Sequence, residues 1–75
     1  MVELFGWSED EFLRRTEGSA IRSIGHERWL RNLAVGLGNA LRATGDPTIA
    51  QALQARAEHP SALVREHVAW ALAQG

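Results

Sequence analysis

Residues 18–39, GSAIRSIGHERWLRNLAVGLGN, decide the fold of this chain. They join a glycine-bounded turn carrying Arg22 to a helix whose last turn is Leu37-Gly38-Asn39. From His26 to Leu41, the residues Trp29, Leu30, Leu33, Leu37, Ala40 and Leu41 recur at the three-four spacing of a buried helical stripe. A variant of this helix returns near the C-terminus. Thirty-five residues on, Leu33, Ala34, Gly36 and Leu37 fall on Val68, Ala69, Ala71 and Leu72. Helical units recurring at a spacing in the thirties mark helix-pair repeats, whose copies bury their apolar faces on one another.

The flanking sequence supplies the remaining helices and their boundaries. Ser8-Glu9-Asp10-Glu11 starts a helix: Ser8 can cap the Glu11 amide, the Glu11 side chain can reach back, and Trp7 and Phe12 can close over the cap as a staple. Three acids in that first turn suit the positive end of the helix dipole. This helix stops before Gly18. Between Gly18 and Gly25 there is room for one helical turn, with Ile21 and Ile24 three residues apart. Asp46-Pro47 caps and opens a helix running to Glu58. Ser61 caps the last one, where Leu63, Val64, His67, Val68, Ala71 and Leu72 share a face. Gly36 and Gly38 each cost roughly 1 kcal/mol in a helix interior relative to Ala, so they imply either close approach of another backbone or fraying beyond Leu37. The short connections make consecutive helices antiparallel neighbours. Val64-Arg65 followed by Val68, Ala71 and Leu72 resembles the second helix of a HEAT-type repeat, and the fold expected is all-α: a HEAT-like repeat of two antiparallel helical hairpins with a short N-terminal capping helix, one domain over residues 1–75.

Size and composition narrow the functions open to it. A chain of 75 residues buries only about 60% of its unfolded surface and has a marginal core. Two repeat copies are fewer than the roughly three such units need, so one apolar face is expected to pack on another domain or a second copy. Without cysteine there is no disulfide and no thiolate site for zinc or an iron–sulfur cluster. The apolar runs are too short to span a bilayer, and the acidic N-terminus is no secretory signal. The expectation is a cytoplasmic protein.

Chemistry-bearing residues are few. His26, His59 and His67 titrate near neutrality, yet no two share the i, i+4 spacing of a helical metal site. His67 falls on the apolar stripe as a packed structural residue, and His59, before Pro60, is placed to cap carbonyls at a helix end. Ser19 and Ser23 have no nearby histidine to act as base. Catalysis by this chain alone is not expected, and no metal or cofactor is assigned to it.

Charge distribution gives the one functional signal. Residues 1–17 carry a net −3 and residues 43–75 a net −1, while residues 18–42 carry +3. All eight cations are Arg, which suits bidentate phosphate contact but also follows from a GC-rich coding sequence. Arg22, Arg28 and Arg31 could meet successive phosphates, with Arg14 and Arg15 as further candidates and Gly18 and Gly25 letting a backbone come close. The alternative is a solvated face, with Arg31 paired to Glu27 four residues earlier.

Particular runs carry a family resemblance. Leu4 to Glu9, Glu11 to Leu13 and Thr16 to Arg22 resemble the tail of the epoxyqueuosine reductases. So do Glu27 to Val35, Leu37 to Asn39, His59 to Ser61 and Val64 to Leu72. The resemblance implies a C-terminal HEAT-like part of a larger oxidoreductase that acts in queuosine biosynthesis on tRNA. It also implies that cobalamin and two [4Fe–4S] clusters lie upstream of this segment, and that tRNA is the partner of Arg22, Arg28 and Arg31. The sequence departs from the family's habit at Ser23, often a second Arg there, at Gly36, usually Ala, and at His26, often aromatic. The reading of a different class is a protein-interaction or self-association module with no nucleic-acid role.

Overall fold

A computed structural model describes residues 2–75; Met1, counted in the domain read from the sequence, lies outside the described residues. Five α-helices follow in order: α1 (Val2–Phe5), α2 (Glu9–Arg15), α3 (His26–Thr44), α4 (Pro47–Gln54) and α5 (Ala62–Leu72), with a 3-10 turn at Ala20–Ile24 before α3. The described residues contain no strand. The all-α expectation holds.

Local capping sets most boundaries. Ser8 Oγ accepts the Glu11 N–H at 3.2 Å. Asp46 Oδ1 accepts the Thr48 N–H at 2.9 Å, with Pro47 in the first turn, and these Thr48 bonds hold the Asp46 carboxyl below its ordinary range. Ser61 Oγ accepts the Val64 N–H at 3.3 Å. The reciprocal half of the first capping box is absent, because the Glu11 carboxylate pairs with Arg14 and Arg15 instead. Trp29 is stacked on Trp7 at 5.8 Å between centroids and tilted against Phe12 at 5.3 Å.

The most extensive packing joins α3 to α5, and these two helices run parallel. Glu27 near the start of α3 meets Ser61 at the cap of α5, 34 residues on. At the other end Gly38 lies against Ala71, and Leu41 against Gly75. Two antiparallel steps, out along α3, back along α4 and out again along α5, produce this parallel pair. Gly38 makes it possible: a Cβ there would stand 2.9 Å from both Cα and Cβ of Ala71. Close approach is thus the reason for this glycine, and α3 does not fray but continues to Thr44.

The burial patterns of α3 and α5 match at an offset one residue shorter than the sequence matching. At an offset of 34, Leu30, Ala34 and Leu37 correspond to Val64, Val68 and Ala71, and all six are buried. At 35, buried Ala34 would match exposed Ala69. Ile49 and Leu53 of α4 and Phe5 of α1 complete this core. The helix α1 has no counterpart in the sequence reading; four residues do not hold a helix alone, and buried Phe5 anchors it. Residues 55–58, assigned to the third helix from sequence, form turns after α4.

Candidate nucleic-acid interface

The basic residues lie around the N-terminal half of α3 and on α2, and their surroundings differ. On α2, Arg14 and Arg15 both pair with Glu11, and the Arg15 guanidinium sits 5.7 Å from the centre of the Trp7 ring. Both side chains already have partners. Arg22, on the 3-10 turn, and Arg28, in the first turn of α3, are exposed. Among the described residues the only ion pairs are those of Glu11. Arg31 is half-buried and donates to Asn32 Oδ1 through Nε at 3.3 Å and Nη2 at 3.0 Å.

The expected Glu27–Arg31 pair does not form. Glu27 accepts the Ser61 hydroxyl at 2.5 Å, so the only acid of the basic zone is turned toward α5. Positive charge at Arg22, Arg28 and Arg31 is therefore left without a carboxylate in contact.

Gly18 and Gly25 frame the 3-10 turn for a conformational reason. Their φ angles are +78° and +84°, and a Cβ at either would meet nothing within 4 Å. At ψ 157°, Gly25 occupies a region that is essentially glycine-only. It lets the chain reverse from the turn into α3. Within this chain, neither glycine is needed to admit a neighbouring backbone.

Beside the basic zone lies a polar cleft that sequence reasoning missed. Trp7 O accepts from His26 Nε2 at 2.8 Å and from Arg56 Nη2 at 2.8 Å, and Phe5 O accepts from Arg56 Nε at 3.3 Å. Partial burial lowers the Arg56 guanidinium from its ordinary value; it stays charged all the same. His59 does not cap carbonyls: its Nδ1 accepts the Ser61 N–H at 3.0 Å. Burial first, then the nearby Arg56 and His26 charges, hold His59 below the ordinary 6.5. These groups clamp the N-terminal segment to the α4–α5 junction. No local pattern around Arg56 marks it for this task, since its partners lie about 50 residues away. His67 Nδ1 donates to Leu63 O at 2.8 Å and is only half-buried, not packed in the core as the apolar stripe suggested.

No described helix is long and apolar enough to cross a membrane. The chain has no cysteine, and no group of three or more metal-ligating residues occurs among the described residues. Its residues do not fit an iron–sulfur cluster.

Comparison with known proteins supplies what geometry alone does not. The chain is 67% identical to an epoxyqueuosine reductase of Alicycliphilus denitrificans over 100% of its own length, and 61% identical to that of Escherichia coli over 99%. It matches the C-terminal part of the epoxyqueuosine reductases. A third relative, from Xanthomonas campestris, is 65% identical over 99% of the chain. The chain spans only 22%, 18% and 20% of the lengths of these three reductases. No protein-family model and no solved structure matches it.

Proposed function

We propose that this chain is the tRNA-facing, HEAT-like helical module of an epoxyqueuosine reductase and contributes binding rather than chemistry. The observation that carries the reading is identity of 61–67% to three such reductases over 99–100% of this chain. The exposed Arg22 and Arg28, with Arg31 beside them, support it as a place for phosphates. Reduction of epoxyqueuosine, with the cobalamin and two [4Fe–4S] clusters the resemblance implies, belongs on this reading to the rest of the full-length relatives.

Three phosphate contacts give weak, salt-sensitive binding without sequence specificity. Fluorescence anisotropy with labelled tRNA is the test. Affinity falls steeply between roughly 50 and 200 mM salt and is weakened further when Arg22, Arg28 and Arg31 become Ala. A concentration-dependent dimer in sedimentation, with no tRNA affinity even at low salt, would sink the proposal and favour the self-association module.

A further inference from the structure

Trp70 is the largest apolar side chain left open among the described residues, 42% exposed. It stands on α5 where Gly38 removes a side chain from α3. The indole Cζ3 lies 2.8 Å from where a Gly38 Cβ would be. Val35 of α3 and Glu66 and His67 of α5 complete the shallow groove around it. One edge of the ring is therefore seated against α3 while much of its surface faces solvent.

The same side of α3 is basic. Helical spacing aligns Arg28, Arg31, Asn32, Val35, Asn39 and Arg42, and all but half-buried Arg31 are exposed. Against these three guanidinium groups α5 sets one carboxylate beside the ring, Glu66. Arg65 adds nothing outward, since its Nη1 donates to the carbonyls of His59 and Pro60. A protein partner's contact core is depleted of charge around its aromatic anchors, whereas Arg31 and Arg42 lie on α3 one helical turn before Val35 and one after Gly38, the two positions beside this tryptophan. An aromatic platform on a helix face that also carries cations is the composition that binds single-stranded nucleic acid, bases stacking on the ring and phosphates meeting the cations.

We propose that the α3–α5 face holds single-stranded RNA, with one unpaired base stacked on Trp70 and its flanking phosphates against Arg31 and Arg42. The inference rests on the tRNA-facing role above and assigns it a base-contacting residue.

The experiment titrates the full chain with an RNA stem-loop of seven unpaired nucleotides and with a blunt RNA duplex of equal length. Trp70→Ala and Trp70→Phe are compared, with circular dichroism melts to check that each folds. The expected result is tighter binding of the stem-loop than of the duplex. Trp70→Ala weakens stem-loop binding roughly fivefold or more, in line with the loss of one stacked base. Trp70→Phe, which keeps an aromatic face, restores most of it, and duplex binding is unchanged by either. Equal stem-loop affinity in wild type and folded Trp70→Ala would overturn the stacking assignment while leaving the tRNA-facing role standing. Failure of wild type to bind either RNA at low salt would overturn both. If Trp70→Ala fails to fold, loss of preference for the stem-loop in Trp70→Leu, which keeps apolar contact with Gly38 but cannot stack, serves in its place; retention of preference there overturns the assignment.

Discussion

Replacing Gly38 with Ala sets two effects of opposite sign against each other. In an open helix interior the change stabilises by roughly 1 kcal/mol. Here the new methyl would stand 2.8 Å from Trp70 Cζ3 and 2.9 Å from both Cα and Cβ of Ala71. The indole can swing aside, but Ala71 Cα is backbone, so α5 must move away from α3. Forcing an extra methyl into such a contact costs about 1–3 kcal/mol. With three contacts below 3 Å the steric cost falls in the upper part of that range, and the net change is a destabilisation of about 1–2 kcal/mol. That is a large share of the roughly 4–11 kcal/mol available to a domain of this size. It should lower the melting temperature by about 4–8 °C per kcal/mol. Urea unfolding followed by circular dichroism measures it, as a lower midpoint at unchanged slope. A Gly38→Ala protein more stable than wild type would refute the close parallel packing of α3 and α5.

Three further outcomes follow from the junctions around that pair. His59 accepts the Ser61 N–H through Nδ1 and has a depressed folded-state value. The unfolded chain therefore takes the proton first, and stability present above about pH 6.5 declines as pH falls toward the lower folded value; His59→Asn, which keeps an acceptor, should remove this component in pH-dependent melts. Ser61→Ala loses the α5 cap and the bond to Glu27, and chemical denaturation should register a loss of about 1 kcal/mol or somewhat more. Gly25→Ala meets no neighbour but forces a side chain into glycine-only backbone space, at about 1–3 kcal/mol; a melt matching wild type would contradict the turn geometry.

The sequence disclosed what is locally encoded and hid what depends on distance along the chain. The Ser8, Asp46-Pro47 and Ser61 caps were legible because donor and acceptor lie two or three residues apart. The stripe on α3 was legible because period and burial coincide. The likeness of α3 and α5 was read one residue out of step with their burial, since matching Ala and Leu by identity ignores which positions face inward. Helix α1 was hidden because Phe5, buried by α3 and α4, holds it rather than any propensity of its own. The Glu27–Arg31 reading failed for a similar reason: a hydroxyl 34 residues away competes better than the neighbouring guanidinium. For the interface, sequence singled out Arg22, Arg28 and Arg31, and the fold leaves Arg22 and Arg28 exposed. It also named Arg14 and Arg15, without the Glu11 pairing that occupies them. Trp70 went unnoticed because only the α3–α5 packing reveals that Gly38 seats its ring.

The most direct test of the account is the salt dependence of tRNA binding. With Arg22, Arg28 and Arg31 each meeting a phosphate, these three should contribute about −2 to −3 to the slope of the logarithm of the binding constant against the logarithm of salt concentration. Replacing all three with Ala should make the slope shallower by that amount, leaving the contribution of Arg42. A wild-type slope near zero, or an unchanged slope in the folded triple variant, would contradict it.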